Sequence, residues 1–320
     1  MKAPFIWFGG KSRVADIVWS ALGDVTNYIE PFAGSLAVLL GRPDWHRGSC
    51  ETVNDIDSMI CNFWRAVTAA PDGVVKHADW PVNETDLLAR HAWLINTGLP
   101  ILAAKLPNDP LFFDTRIAGW WLWGINIWIG GGWCKTKSNQ LPHLGNGGRG
   151  INRKLPHLGD GGRGINRQLP HLGDAGRGEA IRLYMIELSD RIRDVRVCCG
   201  DWKRVVTRGA MTHGYDTGDV GVFLDPPYSH DTGRDKTIYT HEMPNTDAIA
   251  DWCKAYEHQI KIVLCGYEGE YDLPGWEIEA WSAGRSYGNS KSINSANSEN
   301  RKKERIWFSP LCERRQIKIF

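Results

Sequence analysis

The rhythm of apolar and polar positions changes several times along this chain. From Lys11 to Leu22 the apolar residues Val14, Ile17, Val18, Ala21 and Leu22 recur at the spacing of one helix face. The next stretch, NYIEPFAGSLAVLL, reads as a short strand, a turn holding proline and glycine, and a helix predicted to open at Ser35. VNDIDSMICNFWRAV repeats the arrangement, with Ile56, Ile60, Phe63 and Val67 predicted to share a helix face. VRVCCGDW, GVFLDPPY, IKIVLCGY and ERIWFSP then read as further strands. Strands alternating with helices predict an α/β fold with a doubly wound, mostly parallel sheet. Between residues 71 and 179 the alternation stops. Residues 1–70 and 180–320 are therefore expected to form one discontinuous domain, and 71–179 an insertion.

The insertion has two textures. Ile117–Cys134 is an 18-residue stretch without a charge, long enough to span a bilayer. Asn126, the triple Gly130-Gly131-Gly132 and five scattered tryptophans instead predict a buried helix closed by a glycine turn. Residues 140–178 then carry a repeat: QLPHLGNGGRGINR, KLPHLGDGGRGINR and QLPHLGDAGRG, with Leu141, Leu155 and Leu169 marking a 14-residue period. The unit is too short and too rich in glycine and proline for a helical solenoid, so turns or hairpins are expected. His143, His157 and His171 recur because the unit recurs. No cysteine or carboxylate cluster accompanies them, and no metal is assigned.

Composition adds less than charge distribution. The net charge is +1, yet residues 133–178 hold eight Lys or Arg against two Asp, and residues 301–320 hold seven against two Glu. Two basic patches on a near-neutral chain suit a polyanionic partner. The eight cysteines form no C-x-x-C pair, which predicts reduced thiols rather than a disulfide framework or a zinc site. With no apolar segment at the N-terminus, a cytoplasmic location is expected, with no membrane partner.

Three short stretches hold the candidate chemistry. WFGGK places Trp7, the glycine Gly10 and the cation Lys11 together. In EPFAGS, the residues Glu30, Pro31, Phe32, Ala33, Gly34 and Ser35 form a strand-to-helix turn whose backbone donors suit a carboxylate or a polar cofactor tail. Neither G-x-G-x-x-G nor the P-loop pattern is present, which argues against dinucleotides and nucleoside triphosphates. Asp55 follows about twenty residues later, where an α/β nucleoside site places an acid for ribose hydroxyls; capping the next helix falls better to Asp57. The third stretch is LDPPYS. Pro226 and Pro227 stiffen the chain after an apolar strand, and Asp225, preceding a proline, is held extended. An exocyclic amine is a poor nucleophile because its lone pair is delocalised into the ring. The Asp225 carboxylate and the Pro226 carbonyl can each accept one N–H and free that lone pair, while Tyr228 stacks on the base.

With these motifs in this order, the chain resembles the Dam-like N6-adenine DNA methyltransferases, of the type frequent in phages and prophages. The resemblance implies the fold of enzymes that use S-adenosylmethionine, with Trp7 and Lys11 flanking the methionine end, the turn from Glu30 to Ser35 wrapping it and Asp55 on the ribose. It implies that Asp201 and Trp202, in GDWKRVV, bind the cofactor's adenine, and that Tyr239 lies near a flipped target base. It makes the insertion, mainly helical plus a glycine-rich hairpin, the target-recognition region for double-stranded DNA. There Arg149, Arg163 and Arg177 are the candidate contacts to phosphates or bases. The repeat departs from the simplest members. Nothing in the motifs calls for a metal or an obligatory protein partner, and oligomeric state and recognition sequence stay open. The same ledge also serves cytosine N4 or an RNA base, and a non-catalytic DNA-binding protein keeping the fold is the more distant alternative.

Overall fold

The computed structural model describes residues 1–5, 7, 11–43, 50–128, 133–134, 178–211, 220–227, 246–281 and 303–313. Its strands are β1 (Asn27–Glu30), β2 (Cys50–Asp55), β3 (Arg196–Cys199), β4 (Val220–Leu224), β5 (Lys261–Tyr267), β6 (Glu277–Ala280) and β7 (Glu304–Phe308). They form a seven-stranded sheet in the order β3-β2-β1-β4-β5-β7-β6. The first five strands run parallel, and β7 runs antiparallel to both of its neighbours. The sheet is thus mixed, mostly parallel, as the alternation predicts. The edge strand β6 was not anticipated.

Period-two alternation sorts the strand side chains between two apolar layers. Tyr28, Phe223, Val263, Cys265, Ile306 and Phe308 enter one cluster, while Ile29, Val222, Leu224, Ile262, Leu264 and Trp307 enter the other. Over the first face lie α1 (Ala15–Leu22), α2 (Ala37–Leu40) and α3 (Ser58–Ala69), each contributing to that cluster. The chain turns at Ala70–Pro71 into α4 (Pro71–Ala78), where the residue before proline leaves helical geometry at φ −152° and ψ 65°. Next come α5 (Glu84–Trp93), a π-helical link over Leu94–Gly98, α6 (Leu99–Lys105) and α7 (Thr115–Ile127), and after the repeat α8 (Glu179–Ile192). The second face receives residues from the short α9 (Arg208–Met211) and from α10 (Asp247–Tyr256).

The expected insertion is helical where it is described. Asn62 of α3 and Asp114 exchange two amide–backbone hydrogen bonds of 2.9 and 3.0 Å, and Asp114 caps α7 by accepting from the Ile117 N–H. Arg90 lies among the rings of Trp80, Trp120 and Trp123, 4.3–5.2 Å from their centroids. Residues of α4, α5 and α7 share the apolar cluster of the first sheet face, and α4 and α7 pack against α3. The uncharged stretch is α7, which ends at Ile127. Among the described residues no helix is long and apolar enough to cross a membrane. The glycine-rich repeat lies outside the described residues.

Two local expectations are corrected. The helix after β1 opens at Ala37, two residues later than Ser35, because Leu36 takes the left-handed conformation at φ 56° and ψ 26°. Ile56 does not share the helix face of Ile60, Phe63 and Val67. Asp57 caps α3 by accepting from the Met59 N–H, which leaves Ile56 outside the helix and half exposed beside Asp55.

Candidate active site

Strand order reverses between β1 and β4, whose onward connections lead to β2 on one side and β5 on the other. Their carboxyl ends therefore open a crevice, the usual ligand position in an open α/β sheet. The turn after β1 and the ledge after β4 meet there. A concavity is lined by Trp7, Lys11, Glu30, Phe32, Ala33, Gly34, Ser35, Ala37 and Asp225. Three stretches far apart in sequence thus reach one site. Two features had no sequence signal: Ala37 in the lining, and Trp281 beside it, whose ring centroid lies 5.1 Å from the Lys11 ammonium.

Lys11 lines the concavity together with Trp7 and also reaches the ledge after β4. It opens a 3-10 turn before α1, is 6% exposed, and its Nζ lies 2.9 Å from Oδ1 of Asp225. Oδ2 of Asp225 receives no hydrogen bond from the described residues, and the side chain keeps 16% exposure toward the concavity. Burial pushes the Asp225 carboxyl up, and Lys11 opposes that by charge and by hydrogen bond. Burial alone draws the Lys11 ammonium down, but Asp225, with Cys265 and Glu304 nearby, outweighs it and holds the group above its ordinary value. The strand's end therefore carries a carboxylate with a built-in counter-ion. Pro226 is buried and Pro227 half-buried, so the ledge is backed by packing.

Glu30 ends β1 almost fully buried, and the Tyr28 hydroxyl donates to its Oε2 at 3.0 Å. Burial pushes its carboxyl up to about 8; the Tyr28 bond works against this, and the charge of Asp225 adds to it. In the native state this group holds its proton over the pH range from about 4.5 to about 8 in which the unfolded chain has released it. Native stability must then fall as pH rises through that window. Glu30→Gln, which keeps an acceptor for Tyr28, is expected to flatten that fall and to raise stability at pH 8 by on the order of 3–5 kcal/mol. Thermal melts from pH 5 to pH 8 check this; parallel wild-type and variant curves would refute it.

Gly34 shows why the turn carries glycine. Its φ is +48°, and a Cβ there would lie 2.5 Å from Cδ1 of Trp7, so the indole closes directly over the backbone. Its N–H donates 2.9 Å to Oδ2 of Asp55, whose Oδ1 accepts from the Asp57 N–H. Asp55 thus braces the turn as well as bordering the crevice. Burial, with Asp57 nearby, pushes its carboxyl up to about 7. Asp201 caps its own short turn by accepting from the Lys203 N–H. Trp202 is 7% exposed, packed in the second apolar layer with its ring 5.9 Å from Phe32. It joins the site through Phe32, and little of its ring is free. Gly10, Tyr228, Tyr239, Arg149, Arg163 and Arg177 lie outside the described residues.

Residues 7–91 match the family model described as D12 class N6 adenine-specific DNA methyltransferase. The matched segment runs from Trp7 through the turn after β1 and Asp55 into α5, and stops well before Asp225. No curated protein matches the chain.

Proposed function

We propose that this chain, an adenine-specific DNA methyltransferase of the Dam-like, D12 class, uses S-adenosylmethionine to methylate the N6 amine of an adenine flipped out of double-stranded DNA. The observation that carries this reading is the convergence of Asp225, paired with Lys11 at 2.9 Å, and the turn after β1 on one concavity at the strand-order reversal.

The residues present fit the cofactor. The turn approaches Trp7 so closely at Gly34 that a methyl group there would overlap the indole. Glu30 and Asp55 offer acceptors for an ammonium and for ribose hydroxyls, and Phe32 with Trp202 offers an aromatic wall for adenine. S-adenosylmethionine, when bound, supplies a methyl group on a positively charged sulfur. Trp7, the residues from Glu30 to Ser35, Asp55, Asp201 and Trp202 would hold it, with Gly10 in the same loop.

The chain's own part is to make the amine nucleophilic. The target adenine leaves the base stack at a cost of a few kcal/mol, regained by stacking and pocket hydrogen bonds. Oδ2 of Asp225 accepts one N–H of the amine and the Pro226 carbonyl the other, which turns the nitrogen lone pair out of conjugation. Lys11, by charge and by hydrogen bond, opposes the burial that raises the Asp225 carboxyl, and so favours the charged acceptor. Pro227 fixes the ledge, and Tyr228 stacks on the base. Tyr239 and the arginines Arg149, Arg163 and Arg177 are assigned to DNA, because residues 133–178 carry a local excess of positive charge.

The deciding experiment incubates the protein with labelled S-adenosylmethionine and unmethylated duplex DNA and identifies the product nucleosides by mass spectrometry. N6-methyladenine is the expected product. N4-methylcytosine, or label only in RNA, would keep the amine chemistry and overturn the substrate. Cofactor binding without any methylated product would overturn the catalytic reading.

A further inference from the structure

Asn54, the penultimate residue of β2, is 2% exposed, and its side-chain amide is shared between two loops. Its Nδ2 donates 3.0 Å to the Pro31 carbonyl and 2.9 Å to the Gly200 carbonyl. Pro31 belongs to the turn after β1, and Gly200 directly precedes Asp201 and Trp202. The Asn54 main chain extends the same tie, since its carbonyl accepts the Ala33 N–H at 2.9 Å. The side-chain Oδ1 finds no partner among the described residues, so the amide's hydrogen bonding is spent wholly on the two carbonyls. Strand pairing does not require this. The β2–β3 ladder is already made by backbone bonds, with Asn54 opposite Cys198 and Asp55 opposite Cys199.

We infer that Asn54 is a positioning residue that fixes the methionine-side turn and the adenine-side loop of the cofactor site in one relative geometry, touching no ligand itself. The inference rests on the proposed cofactor reading of this crevice. A ligand that spans both loops gains when their separation is set before it binds, because it does not have to order them. A ligand that touches one loop gains nothing from that tie.

Calorimetric titration separates the two cases. S-adenosylhomocysteine spans the site, whereas 5′-methylthioadenosine carries the adenosine side only. Asn54→Asp keeps the shape and loses both amide donors. It is expected to bind S-adenosylhomocysteine about 10-fold more weakly or worse, and methylthioadenosine within about 3-fold of wild type. Asn54→Ser, which keeps one hydroxyl donor, is expected to fall between the two and serves if the Asp variant does not fold. Equal losses for both ligands would mark a merely structural residue and overturn the inference, as would no loss for either. Wild type that binds neither ligand would instead overturn the cofactor reading itself.

Discussion

Asp225→Asn is expected to lower the single-turnover rate of methyl transfer by about 10²–10³-fold while the protein still binds its cofactor, and Asp225→Ala by about 10³-fold. An asparagine fills the same space but offers the amine a neutral acceptor in place of a carboxylate, and it can turn its NH₂ toward the substrate. Alanine removes the acceptor altogether. Both variants also break the pair between Asp225 and the 6% exposed Lys11, and breaking a buried pair in this way typically destabilises by about 3–5 kcal/mol. A loss of activity alone would therefore not distinguish chemistry from folding. The double variant Lys11→Met with Asp225→Asn separates them, because it removes both charges of this pair. It is expected to recover most of the lost stability and none of the rate. A single-turnover rate within about 3-fold of wild type for folded Asp225→Asn would show that the carboxylate is not the amine's acceptor.

The ledge was legible in sequence because each of its parts is local. An apolar run closed by two prolines marks a strand end wherever it occurs, and β4 ends at Leu224 as the run implies. Asp57 was legible for the same reason, a polar cap just before an apolar helix face. The pairing of Lys11 with Asp225 was not, since the two residues lie far apart in the sequence and only the strand order brings them together. Asn54 was missed because a polar residue near a strand's end reads as solvent-facing. Its burial depends on the turn after β1 and the loop after β3 closing over it. The edge strand β6 was missed because its sequence, EIEA, exposes its one large apolar residue, Ile278, and so carries no core pattern. The late start of α2 follows from a left-handed leucine, a conformation that its side chain does not announce. Local strand ends and helix caps were thus readable, and the ties between distant segments were not.

One such tie carries the second large effect. Glu51→Ala is expected to destabilise the protein by about 3–5 kcal/mol without altering the methyl-transfer rate of the molecules that remain folded. Glu51 sits in β2, 3% exposed, between two guanidinium groups. Arg42 Nη1 reaches its Oε1 at 3.0 Å, and Arg191 grips both oxygens at 2.7 and 3.0 Å. Arg42 also stacks over Trp19, 4.9 Å from the ring centroid, and donates to the Val25 carbonyl, while Arg191 donates to the Leu39 carbonyl. One carboxylate thereby ties α1, the end of α2, β2 and α8. Losing it takes the shared anion from both guanidinium groups, with Arg42 keeping Asp24 at 3.3 Å, whereas Arg191→Met leaves the pair of Arg42 and Glu51 intact and is expected to cost distinctly less. In β2, Glu51 lies near the start of the strand, opposite Tyr28, and the crevice opens at the far end beyond Asp55. The effect should therefore fall on stability alone. Urea titrations check this: the midpoint of Glu51→Ala should fall with the slope unchanged, and the Arg191→Met midpoint should lie between it and wild type. A Glu51→Ala midpoint equal to that of wild type would mean that the triad contributes nothing net. The four elements would then be held by their apolar packing and their remaining hydrogen bonds.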